Sequence, residues 1–155
     1  MKKFLVVFFC IVTPLIAEAG DKGYRISYAG GSLPAVKAGT GLKMYFESNQ
    51  LRLVKDKDDF VTVSASAITE ISHGDDVYRR VRAVVADGTF NAGPGAPPGS
   101  SRARKHLIGV TWANGDRKGG LAIQCDESNY RSILAGLEEI TGLRAISSEP
   151  MAARN

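Results

Sequence analysis

The chain has 155 residues, with 20 Lys and Arg against 16 Asp and Glu, a net charge of +4 and a hydrophobic content of 44%. This length suits one domain with a real core. The mild basicity comes without an aromatic-rich basic motif, which argues against a nucleic-acid partner, and of the two cysteines Cys10 lies in the apolar N-terminal run, so Cys125 alone remains for the folded region and a Cys-based zinc site or intrachain disulfide is not expected.

The N-terminus reads "MKK", then "FLVVFFCIVTPLIA", then "AEA" before Gly20. A basic start, a short apolar run and a small-x-small site predict a cleaved signal peptide over 1–19. An uncleaved anchor is the rival; Pro14 and Ala17-Glu18-Ala19 favour cleavage. Cys10 lies mid-run, which argues against a lipoprotein. The expected product is exported, periplasmic or secreted, and peripheral to the membrane. It would keep about 136 residues, a net charge of about +3 and one cysteine, Cys125.

The mature region opens with alternation. Tyr24, Ile26 and Tyr28 share one face, and "AGGSLP" breaks the run. Leu42, Met44 and Phe46 alternate again, "ESNQ" reads as a hairpin turn, and Leu51 and Leu53 return to a second turn at "KDKDD". Phe60, Val61 and Val63 form the next strand. Ile68 and Ile71 end it in "SAITEISHGDD", where a short strand is expected to carry the chain onward. "TFNAGPGAPPGSSRAR" follows, too rich in Gly and Pro for regular structure, so a flexible loop is expected at about 86–104. Then "KHLIGVTW", an Asn-Gly turn in "ANGD", and "KGGLAIQC" predict a hairpin, with Gly119 and Gly120 suggesting a bulge or bend. Leu121, Ile123 and Cys125 share a strand face, which makes Cys125 a buried small hydrophobe rather than an interchain cross-link. In "DESNYRSILAGLEEITG" the period changes: Tyr130, Ile133, Leu134, Leu137 and Ile140 form one helical stripe, capped by Asp126 or Ser128 and closed by Gly142. The tail 143–155 lacks periodicity and is expected to be disordered. The fold class is therefore mainly β with one C-terminal α-helix, an antiparallel sandwich or barrel plugged by that helix, in a single domain over 20–142.

"GLKMYFESNQLRLV", "FVTVSASAITEISHG" and "KHLIGVTWANGDRKGGLAIQCDESNYRSILAGLEEITG" together resemble pleckstrin-homology-like domains, GRAM-type domains included. The resemblance implies a curved antiparallel barrel closed at one end by its last helix. Domains of that kind often bind phosphoinositides, a ligand an exported bacterial protein does not normally meet. The chain is also similar to a group of uncharacterised exported bacterial proteins sharing "AITEI..G.DV.RRV" and "KKH.IG.TW" with "KGG". Their intervening segment is often apolar. Here it is not hydrophobic enough to enter a bilayer, and is read as a replacement of that segment.

His73, Asp75 and Asp76 in "SHGDDVYRR" are residue types that bind metal or move protons, and His106 is the only other histidine. A glycine turn separates His73 from two adjacent carboxylates that cannot share a strand face, so a polar turn is preferred over a metal or hydrolase site. No nucleophile elbow, phosphate loop or zinc pattern occurs, and no cofactor is expected. Trp112 is expected to pack under the closing helix rather than stack on a ligand. Arg79, Arg80 and Arg82 before the loop, with Arg102, Arg104 and Lys105 after it, face only Asp87 between 79 and 105. They form the candidate contact surface for an anionic lipid surface or an acidic envelope protein, against the plainer reading of a solvated basic rim. Three functions follow: a non-catalytic binding or scaffolding module at the cell envelope, a small hydrolase or metal-dependent enzyme using His73, Asp75 and Asp76, or a secreted oligomerising unit.

Overall fold

A computed structural model describes residues 23–34, 36–85, 91–92 and 105–147. Residues 1–22, on which the expected signal peptide falls, residues 86–90 and 93–104, on which most of the expected loop with Arg102 and Arg104 falls, and residues 148–155 lie outside the described residues. The elements in order are β1 (Tyr24–Gly31), β2 (Gly41–Phe46), β3 (Gln50–Lys55), β4 (Asp58–Ser64), a 3-10 turn at Ala65–Ala67, β5 (Ile68–His73), α1 (Val77–Val84), β6 (Asn91–Ala92), β7 (Lys105–Asn114), β8 (Arg117–Asp126), α2 (Glu127–Thr141) and β9 (Ile146–Ser147). The strands form one sheet in the order β4-β3-β2-β1-β8-β7-β5-β9, with β6 beside β1. All pairings are antiparallel except that of β5 with β9. The protein is thus mainly β with a C-terminal helix. No helix of the described residues is long and apolar enough to cross a membrane.

The alternating residues meet as their period requires. Ile26, Tyr28, Leu42, Met44, Leu51, Leu53, Ile71, Ile108, Val110, Leu121 and Ile123 converge in one core with Ile133 and Leu137 of α2. Those two helical residues are fully buried, and each contributes about 1.5–3 kcal/mol by leaving water. Asp126 takes the N-cap position without a side-chain cap bond, and Gly142 closes the helix at φ 70. The pairing of β1 with β8 joins the first and last long strands. That of β5 with β7 brings together the two flanks of the 86–104 segment.

Four local expectations are corrected. The short strand expected in "SAITEISHGDD" is β5, but the chain beyond His73 then forms a second helix, α1, where only the C-terminal one was expected: Val77 and Val81 lie one turn apart and are both fully buried. Beneath α1 the sheet presents small residues. Ala29 and Ala122 pack against Val77, Val81 and Val85, and a Cβ on Gly109 would stand 2.6 Å from Ser72 Oγ and 2.9 Å from Val77 Cγ1. Gly119 and Gly120 make no bulge, because β7 and β8 stay in register from Lys105↔Asp126 to Asn114↔Arg117. Instead the ring of Trp112, which packs against the main core, lies across Gly119, where a Cβ would come within 2.5 Å of it. The hairpin turn is Gly115-Asp116, one residue later than Asn-Gly, with Gly115 at φ 62. Finally, the chain after α2 is ordered through residue 147. Ala145 N–H donates to Glu138 Oε1 at 2.8 Å, and β9 adds to β5.

Candidate anion-binding surface

The sheet and α1 place the basic residues on different faces. Arg79, Arg80 and Arg82 sit on α1, whose apolar side is spent on the sheet. Arg79 Nη2 pairs with Asp76 Oδ2 at 2.7 Å, and Arg80 Nη1 pairs with Glu70 Oε1 at 3.2 Å. Arg82 is exposed in the last helical turn, where a cation complements the helix dipole. Lys105 opens β7 in register with Asp126. The arginines that the sequence singles out thus carry carboxylate partners at Arg79 and Arg80.

A second basic surface lies on the outer face of β1, β2 and β3. Ile26, Leu42 and Met44 point inward, so Arg25, Lys43 and Tyr45 point outward. Register sets Arg25 directly opposite Lys43 and Tyr45 opposite Arg52. With the β3–β4 turn these residues line a groove of about 600 Å³. Arg25, Lys43, Arg52 and Lys57 are its cations, and Asp56 is the acid among its described lining residues. Like charges directly opposite on adjacent strands destabilise a sheet. Among the described residues no carboxylate pairs with Arg25, Lys43 or Lys57. Arg52 is different. Its Nε lies 2.9 Å from Glu47 Oε1, and its guanidinium carbon sits 4.6 Å from the centre of the Tyr45 ring.

The turn that brings Lys57 to the groove is strained. Asp56 and Lys57 adopt φ 50 and φ 76, left-handed values that tight hairpins want but that a lysine resists. We predict that Lys57→Gly raises stability by about 1 kcal/mol while weakening anion binding. Thermal melts beside a binding titration check both halves.

The titratable residues that suggested acid–base chemistry are rearranged. His73 ends β5 and His106 lies in β7, and Tyr130 of α2 joins them. Its hydroxyl is 2.5 Å from His73 Nδ1, and its ring stacks on His106 with centroids 4.1 Å apart. Asp75 is exposed, and Asp76 is drawn to Arg79 at the start of α1. No group of three or more His, Cys, Asp or Glu among the described residues could hold a metal ion.

Cys125 faces the core beside Ile123 and is 4% exposed, with its thiol 3.8 Å from the His106 carbonyl. Burial, helped by the neighbouring Asp126 charge, pushes the thiol up from 9.0 to about 11. Because the folded value is raised, this group's contribution to stability is complete below about pH 9 and is lost as pH rises through about 11. The expected outcome is that a chromogenic disulfide reagent at pH 8 leaves Cys125 unmodified until denaturant unfolds the chain. Prompt modification of native protein would contradict its burial.

The chain matches no protein-family model and no curated protein. The groove carries no sequence motif, because its cations come from separate strands. A signal was present nonetheless: Arg25, Lys43 and Arg52 each occupy a polar position in the alternation of three successive strands. Lys57 gave no such signal, since a turn lysine reads as ordinary solvation.

Proposed function

We propose that the protein is a non-catalytic binding module of the cell envelope, exported by its N-terminal signal and built on a pleckstrin-homology-like scaffold. Its role is to dock an anionic surface or ligand through the outer face of β1, β2 and β3. The observation that carries this reading is the pair Arg25 and Lys43, set side chain against side chain with Lys57 nearby and no described carboxylate on any of them. Such an arrangement costs stability in the free protein and is relieved by an anion. The arginines of α1 add a second, partly neutralised basic face.

Co-sedimentation with phosphatidylglycerol and phosphatidylcholine vesicles tests the proposal. The mature protein should pellet with the anionic vesicles at low salt and be released at high salt, since exposed charges are screened within about 10 Å at 0.1 M. Equal partition on both vesicles at every salt concentration would remove the membrane partner. Failure to bind free polyanions as well would remove the function.

A further inference from the structure

We infer that the groove takes a ligand carrying both a phosphoryl group and an ammonium group, with Asp56 receiving the ammonium. This inference rests on the groove being an anion site. It names the class of ligand that the site selects.

Register fixes the layout. Arg25 stands opposite Lys43, and Lys43 opposite Val54, so the three lie in one row across β1, β2 and β3. Asp56 follows Val54 by two residues, in the β3–β4 turn that also carries Lys57. With strands about 4.8 Å apart and a rise of about 3.3 Å per residue, the backbones of Lys43 and Asp56 are about 8 Å apart. Asp56 and Lys57 are exposed, and both are left-handed, at φ 50 and φ 76. A two-residue hairpin turn needs such values at both positions, and they fix where each side chain leaves the chain.

The charges of the groove do not cancel one another. Arg52 is already engaged by the Glu47 carboxylate and the Tyr45 ring. Arg25, Lys43 and Lys57 remain as cations, with Asp56 as the acid among the described lining residues. Among the described residues Asp56 pairs with no cation, its chain neighbour Lys57 included. A plain phosphate ester matches the cations but meets the Asp56 carboxylate as a like charge. A ligand with an ammonium a few bonds from its phosphoryl group turns that repulsion into a charge-assisted hydrogen bond. The ammonium's direct contact with Asp56 outweighs its repulsion by Arg25 and Lys43, which the phosphoryl group neutralises. Ethanolamine phosphate has this chemistry, whether borne by a lipid headgroup or free in solution.

Titration of the full mature chain with ethanolamine phosphate and with propyl phosphate, followed by amide chemical shifts at low salt, tests the role of Asp56. Propyl phosphate puts a methyl group where the other ligand has its ammonium. The wild type should bind ethanolamine phosphate about threefold more tightly. Asp56→Asn should cancel that preference and bind propyl phosphate more tightly than the wild type does. Asn tolerates the left-handed backbone at position 56, and thermal melts confirm the variant's folding. Equal wild-type affinity for the two ligands, or a preference for propyl phosphate, overturns the role of Asp56 and leaves the groove standing. A preference for ethanolamine phosphate that survives Asp56→Asn does the same. No binding of either ligand by either protein overturns the groove and the inference together. Vesicles with a fixed fraction of phosphatidylglycerol distinguish the sources. Stronger co-sedimentation when phosphatidylethanolamine replaces phosphatidylcholine, lost in Asp56→Asn, assigns the ligand to a lipid headgroup. Equal co-sedimentation beside binding of free ethanolamine phosphate assigns it to a soluble molecule.

Discussion

Arg25→Glu combined with Lys43→Glu is expected to lower affinity for phosphatidylglycerol vesicles by about 100-fold or more. A basic residue near an anionic surface contributes about 1 kcal/mol, and reversing its sign changes the balance by about twice that. Two reversals therefore remove about 4 kcal/mol at low salt, and screening reduces this toward about 3. The fold gives this variant a useful internal control. Both residues are exposed and face one another across β1 and β2. The double reversal replaces one like-charge pair by another, so sheet stability should change little while binding collapses. A single Lys43→Glu behaves differently. It converts the pair with Arg25 into an attractive one, stabilising the sheet by about 0.2–1 kcal/mol as it weakens binding. Opposite movement of melting temperature and affinity in that single variant identifies the groove. A double variant that binds like the wild type would shift attention to Arg79 and Arg82.

The largest expected effect on stability is at Gly109. Strand propensity alone favours Gly109→Val by up to about 1 kcal/mol. Packing opposes it, because Ser72 Oγ and Val77 Cγ1 stand 2.6 and 2.9 Å from where its Cβ would be, and Val81 Cγ2 stands at 3.1 Å. Ser72 is held in the facing strand, in register with Gly109, and the valines are fully buried. Nothing there is the free end of a flexible side chain. Overpacking of this kind costs about 1–3 kcal/mol and occasionally more, so packing wins. We expect a net loss of about 2 kcal/mol and a fall in melting temperature of about 8 °C. The second change Val77→Ala, which clears part of the collision, should recover a portion of that loss although it is itself a core truncation. A Gly109→Val protein as stable as the wild type would show that α1 does not rest on the sheet as closely as described.

The main elements were legible because their periods are clean. Leu42, Met44, Leu51 and Leu53 alternate, and Ile133 and Leu137 repeat at helical spacing, so burial of one face dictates both assignments. Cys125 was legible for the same reason. Helix α1 was not. Over eight residues, "VYRRVRAV", a helical stripe amounts to Val77 and Val81, and β-branched residues next to arginines read equally well as an edge strand. Gly119 and Gly120 looked like a break because their neighbours across space, Trp112 and Val81, are invisible in local sequence. The same limit hid the union of His73 with His106, which depends on β5 lying beside β7 and on Tyr130 reaching both. Pairing of distant strands is a tertiary outcome, set by how the apolar faces share one core. Local pattern fixes which face is buried and leaves the neighbour unspecified.

The small cluster under α1 is separate from the main core, on the other side of β7 and β8. Its described apolar members are few: Val77, Val81 and Val85 against Ala29 and Ala122, with Tyr78 and Leu107 at the margin. The sheet beneath keeps its backbone ladder whether or not the helix is seated. The molecule is therefore divided into units of unequal cooperativity. One holds the sheet and α2, and melts only with the whole. The other is a single short helix held by three buried valines and the Arg80–Glu70 pair, so its amides are expected to exchange with solvent ahead of those of β7 and β8 in a hydrogen-exchange measurement.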